Sequence, residues 1–437
     1  MDLSHANITA FADRFINNPL VIKKFLKEKL PAWKKVLGSI CVLIVGPFIP
    51  YSSIAKRITN FINQQRNIRN LLSFMETSVL YDFLIVEYFL KNDHENKKAI
   101  INKDNTLKIG NKFYDKIVLC PLVMDFGYPN IKNNDIFYNI PPQKPITSQI
   151  QDLFKAIRTY YTKRIEIKTK NSITKFKIKE KQFNKDADFF EIYPFMGINT
   201  KNYDFDEIEK MLNKYFSDFL ESDTPEQRYK KLYKAMGEFD GNLENTEKCK
   251  NIFAGIKLYP PLGFDPWPDN QKERRKVELL YQTCIDKNIP IITHCSTGGF
   301  VASIEHKKFT NPNEQWAKVL KDQRFTKLKI NFAHFGEDNI DWTNRIIDLA
   351  LNNKHNIYAD FSSNADNADY YAKLKNQIGN DNEEINNKIL YGSDFMINLL
   401  KVESLNEYMG YFINTDYLTG EQKHKYINTN PERFLFE

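Results

Sequence analysis

Three apolar runs in this chain each stop on a side chain that can do chemistry. Ile-Pro-Ile-Ile-Thr-His-Cys-Ser-Thr-Gly-Gly at 289–299 carries four or five apolar and β-branched residues straight into His294, and a small polar turn follows at once. Leu-Lys-Ile-Asn-Phe-Ala-His at 328–334 stops on His334 before Phe335 and Gly336, and Lys-Ile-Leu-Tyr-Gly-Ser-Asp at 388–394 stops on Asp394. A buried parallel strand that delivers a side chain to a pocket reads this way. The three stops are separated by the length of a helix and a strand. In a parallel barrel of eight strand–helix units, the carboxyl ends of the strands share one face, so His294, His334 and Asp394 are expected to converge there.

The same rhythm extends upstream. Strands are expected at 116–125, ending on Asp125, at 189–195, at 253–258 and at 356–361, with helices at 148–162, 206–237, 271–287, 313–322, 341–353 and 368–378 between them. Seven strands follow from residue 116 onward, and the eighth is expected from Asp2–Ile8. Short βα connections imply right-handed crossovers and a closed parallel sheet. The expected fold is therefore α/β, a (β/α)8 TIM-barrel-like single domain over 1–437 with insertions. One insertion is helical, over 20–110. The other is a β-hairpin at 163–186, where Lys alternates with apolar residues and the charged face is expected to meet water. No Gly/Ser or Pro linker divides the chain.

Composition narrows the function classes. Apolar residues are 42 % of the 437 and charged residues 27 %, enough for a large core and unlike a disordered chain. Lys and Arg outnumber Asp and Glu by 62 − 55 = 7, but the excess is spread out and forms no compact basic motif, so no nucleic-acid partner is expected. The five cysteines, Cys41, Cys120, Cys249, Cys284 and Cys295, are odd in number, widely spaced and form no Cys-x-x-Cys pair. Neither a disulfide framework nor a structural zinc knot is suggested, and a reduced cytoplasmic location fits best. Cys295 adjoins His294 on a strand, so the two side chains should point to opposite faces. The start shows no basic region followed by an apolar one, so no ordinary signal peptide is expected. The apolar window Val36–Ile49 has 14 residues, interrupted by Gly46-Pro47, where a span needs about 20. A buried helix is its plainest reading and a membrane-surface role the alternative.

Lys257 sits inside an apolar strand between Ile256 and Leu258. Such a lysine is costly unless its ammonium reaches a carboxylate, a metal-bridging role or a substrate; an edge lysine facing water is the other reading. Each stop residue also has a structural alternative: His294 and His334 as satisfied core histidines, and Asp394 as a helix cap before Phe395.

Four segments resemble the amidohydrolase superfamily, in its amidohydrolase-related branch of metal-dependent hydrolases and decarboxylases. They are Gly-Ile-Lys-Leu-Tyr-Pro-Pro-Leu-Gly-Phe at 255–264, Ile-Pro-Ile-Ile-Thr-His-Cys at 289–295, Leu-Lys-Ile-Asn-Phe-Ala-His-Phe-Gly at 328–336 and Ile-Leu-Tyr-Gly-Ser-Asp-Phe at 389–395. The resemblance implies a distorted (β/α)8 barrel, with His294 as the metal-binding residue of the fifth strand, His334 as that of the sixth and Asp394 as the acid of the eighth. Lys257 matches the fourth strand, where some members carry a carboxylated lysine. The implied cofactor is a divalent metal, zinc first, held by His294, His334 and Asp394, three being the usual number of protein ligands to a catalytic zinc. The implied mechanism has the ion acidify a water, Asp394 take its proton and His334 steady the oxyanion. Lys257 would hold an anionic group, with Tyr259 and Asp125 at the mouth, and the substrate would be a small amide, ester or carboxylated molecule. The chain departs from the pattern at the first strand, where Asp2-Leu3-Ser4-His5-Ala6 places Ser4 and Ala6 at the two positions the family fills with histidines. Three other readings stay open: a degenerate barrel that binds or scaffolds, a metal-free chemistry on Lys257, and a membrane-surface protein. Homo-oligomerisation is equally open.

Overall fold

The structure, a computed structural model, describes residues 82–91, 100–102, 104–125, 145–170, 173–299, 301, 305–352, 356–379, 382–395, 397–402 and 404–437. The strand expected at Asp2–Ile8, the window 36–49 and most of the helical segment expected over 20–110 lie outside the described residues. Within that segment, Asp82–Lys91 is a helix packed on helix Ile146–Thr162, where the Tyr160 hydroxyl donates to Glu87 at 2.6 Å.

Two antiparallel hairpins flank the main body: β1 (Leu107–Ile109) with β2 (Lys112–Tyr114), and, after β3 (Ile117–Leu119), β4 (Lys163–Lys170) with β5 (Ile173–Glu180). The remaining strands are β6 (Phe190–Ile192), β7 (Phe195–Gly197), β8 (Gly255–Leu258), β9 (Ile291–His294), β10 (Lys329–Ala333), β11 (Asn356–Asp360) and β12 (Ile389–Leu390). Strands β7 to β12 make one parallel sheet in sequence order. Strand β3 pairs in parallel with β6, and the Phe195 N–H donates to Pro121 O at 2.9 Å, so the same rhythm reaches one strand further upstream. Pro194, which has no N–H to donate, interrupts the run between β6 and β7. The order is that of a TIM-barrel-like α/β fold. The expected closed sheet is not found: among the described residues β12 and β3 are edges, and the segment expected to stand eighth lies outside them.

Register explains which side chains face inward. Ile256, Ile291, Ile330 and Ile357 are direct neighbours across β8 to β11 and are all fully buried. The next row, Lys257, Ile292, Asn331 and Tyr358, projects to the opposite face by strand alternation. Counting two further along β9 and β11 puts His294 and Asp360 on that same face.

Helices between the strands start on side-chain caps. Asn270 accepts from the Lys272 and Glu273 amides before Gln271–Asp286, and Asn339 accepts from Trp342 before Ile340–Ala350. The helix expected over 206–237 is two, Phe205–Phe216 and Pro225–Ala235. Thr224 and Gln227 form a reciprocal cap, and Pro225 takes a first-turn position where no N–H is needed. No helix among the described residues is long and apolar enough to cross a membrane. The four described cysteines are free, and Cys295 points away from His294, its thiol buried and pushed up by burial against Thr310 O.

Candidate active site

The carboxyl ends of β8 to β12 open into a cavity of about 1200 Å³ whose wall includes Lys257, Tyr259, His294, His334, Asp360 and Asp394. The three expected stop residues therefore share one space. The His294 and His334 rings stand edge to face with centroids 4.7 Å apart, and the Tyr259 ring is 4.7 Å from that of His294.

Each imidazole has one nitrogen tied to a carbonyl. His294 Nε2 lies 3.1 Å from Gly298 O, and since a carbonyl only accepts, this nitrogen carries the proton. The Ser296 hydroxyl, 3.0 Å away, braces the same nitrogen. Burial, then the neighbouring His334 and Lys257, hold the His294 pKa well below its usual value, so the ring is neutral. The turn that supplies Gly298 O requires glycine beside it. Gly299 has φ +101°, and a Cβ there would stand 2.5 Å from Tyr259 Oη and 3.0 Å from His294 Nε2.

His334 is held from its other side. Its Nδ1 lies 3.0 Å from Ser362 O and 3.1 Å from Ser362 Oγ, so Nδ1 carries the proton and Nε2 is left for whatever occupies the cavity. Ser362 is in turn fixed by Asp360, whose Oδ1 accepts from the Ser362 hydroxyl, from Ser362 N–H at 2.9 Å and from His334 N–H at 3.3 Å. Its Oδ2 accepts from Asn331 Nδ2 at 2.6 Å. The backbone here is strained. His334, Phe335, Gly336 and Glu337 all have positive φ (71°, 49°, 77° and 55°), at about 1–3 kcal/mol for each non-glycine. Two neighbouring loops and the following helix hold the run in place: Gly336 N–H donates to Cys295 O at 3.1 Å, Asn364 Nδ2 to His334 O at 2.6 Å, and Thr343 Oγ1 to Phe335 O at 2.8 Å.

Lys257 is buried, with its ammonium over the Tyr259 ring at 5.6 Å. Desolvation draws its pKa down to about 8, while Asp360 and Asp394 pull the other way. Asp394, with φ 51°, is half-buried beside it. The cap on Phe395 N–H comes from Ser393 Oγ at 3.3 Å, which leaves the Asp394 carboxylate for the cavity.

Asp125 stands apart from this wall. Its Oδ2 accepts from Asn199 N–H at 2.9 Å and its Oδ1 from Asn202 Nδ2 at 2.8 Å, tying the end of the β3 segment to the loop after β7. Asp360 and Ser362 are the residues that sequence reasoning missed. Asn-Ile-Tyr-Ala-Asp ends on a carboxylate just as its neighbouring strands end on functional groups, and that rule would have found Asp360.

Whether a divalent metal fits can be read from the donors. Each imidazole keeps one unprotonated nitrogen, while Asp360 is engaged by Ser362, His334 and Asn331. Among the described residues no group of three or more His, Cys, Asp or Glu side chains is placed to hold a metal ion. Among the described residues the expected set of His294, His334 and Asp394 is therefore not placed as a three-ligand group.

The strand order is that of a TIM-barrel-like α/β fold, and residues 233–436 match the family model described as amidohydrolase. No curated protein matches. Among solved structures, the chain is similar to a 4-oxalomesaconate hydratase from Rhodopseudomonas palustris, at 15 % identity over 56 % of this chain and 76 % of that one, with a TM-score of 0.31. It is similar also to an amidohydrolase II, at 14 % identity over 56 % and 71 %, again with a TM-score of 0.31.

Proposed function

We propose that the cavity is the active site of an amidohydrolase-type hydrolase or lyase acting on a small amide, ester or carboxylated molecule. The observation that carries this is the joint presence of Lys257, His294, His334 and Asp394 on one wall. In a hydrolysis, the Asp394 carboxylate takes a proton from the attacking water as its oxygen bonds the carbonyl carbon. His334, whose Nδ1–H is held by Ser362, accepts a hydrogen bond from the attacking water at its open Nε2, and the proton taken by Asp394 passes on to the leaving nitrogen or oxygen as the tetrahedral intermediate collapses. The Lys257 ammonium holds the substrate's carboxylate. Neutral His294 keeps the turn at 298–299 packed against Tyr259 and adds no second positive charge. The familiar form of this reaction, with a zinc-activated water, lacks its donor set among the described residues and is not part of the proposal.

A binding or scaffold barrel without turnover is the second reading, favoured by Ser4 and Ala6 at the first-strand positions. The two separate on a panel of small amides, esters, lactones and carboxylates. Turnover by the wild type, reduced by about 100-fold or more in Asp394→Asn with the melting temperature kept, supports catalysis. Ligand-induced stabilisation with no turnover anywhere on the panel supports the second reading. We further propose a small-molecule partner and no nucleic-acid partner.

A further inference from the structure

Lys257 is a cation in an unusual place. It is buried at the carboxyl end of β8, and among the described residues its ammonium makes no hydrogen bond and no ion pair. Yet Asp360 and Asp394 both act on it across the cavity, and the Tyr259 ring lies under it. A buried ammonium without a carboxylate in direct contact is costly, so something must compensate it. Here the compensation is the field of two carboxylates and one π face. A divalent ion bound by Asp394 and the open nitrogens of His294 and His334 would stand against this ammonium and would have to overcome its repulsion. The same carboxylates, with the ammonium among them, already have their counter-charge.

Resting on the hydrolase or lyase reading above, we propose that Lys257 is the resident cation of this site. It fills the electrostatic role of a divalent metal, and the enzyme works without one. The ammonium supplies a single localised charge with rotatable donors, which suits a carboxylate or an oxyanion. It acidifies no water, so the attacking water depends on the carboxylate of Asp394 as base.

The test is metal content and metal binding of the full chain, measured apart from turnover. Protein purified without chelators is analysed for zinc, manganese, iron and nickel, then titrated with zinc by calorimetry, beside His294→Ala to remove adventitious surface binding from the comparison. Wild type and His294→Ala are expected to bind zinc alike, with no ion lost on the substitution. Lys257→His, which removes the ammonium and adds an imidazole donor, is expected to gain one zinc equivalent that a second substitution, His294→Ala, removes. A wild type that carries about one ion per chain and loses it in His294→Ala overturns the proposal. So does a failure of the folded Lys257→His variant to gain metal. Because these readouts need no substrate, a protein with no turnover sinks the enzymatic reading and leaves the metal result standing on its own.

Discussion

Ser362 decides which nitrogen of His334 meets the cavity. Its carbonyl holds Nδ1–H, and its hydroxyl is anchored on Asp360. Ser362→Ala keeps the carbonyl and removes the anchor, so the ring is expected to wander. On any substrate turned over, kcat should fall by about 10–100-fold with KM little changed, as for other residues that orient a functional histidine. Lys257 gives a second test. Desolvation lowers its pKa to about 8, so the ammonium is present below that pH and is lost as pH rises through it. For an anionic substrate, kcat/KM should decline above about pH 8, and in Lys257→Arg, which keeps its charge, that decline should move out of the measurable range. His294, His334 and Asp394 were legible in the sequence because each ends an apolar run. The place of Asp125 was not, because its partners Asn199 and Asn202 lie 74 and 77 residues downstream and no local pattern announces them.

At the scale of the element, β10 joins two opposite demands. Its far end presents the His334 loop, while its first residue, Lys329, is buried with an unpartnered ammonium. Burial and then the nearby Arg228 draw the Lys329 pKa to about 7 from 10.5. The folded state thus binds fewer protons than the unfolded state between those values. The cost is full below pH 7 and is relieved as pH rises toward 10.5. Lys329→Met should raise stability by about 1–3 kcal/mol near pH 7, read as a higher denaturation midpoint, and the gain should shrink as pH increases. Strand positions were readable from hydrophobic runs. The division of 206–237 into two helices was also available in principle, since Thr224-Pro225-Glu226-Gln227 is a helix start. The positive φ at Phe335 and Glu337 was not, because neither residue type signals a left-handed backbone.

Across the whole molecule, the parallel sheet and the cavity do not depend on the β4–β5 hairpin. That hairpin pairs with itself through eight residue pairs, from Lys163↔Glu180 to Lys170↔Ile173. Excising 168–175 and closing the chain with a two-residue Asn-Gly turn should therefore leave turnover unchanged and shift stability by less than about 1 kcal/mol; a large drop in the melting midpoint would show that the hairpin tip braces the body. The strand order from β3 to β12 was legible because each βα unit repeats one pattern. Closure was not, since it depends on the two sheet edges rather than on any one run. The left-handed stretch at 334–337 has a final consequence. Because two loops and the start of a helix grip it, no single exchange there can slide the sixth-strand imidazole to a new position, and fitting the cavity to a different ligand would mean rebuilding the segments after β9, β10 and β11 together.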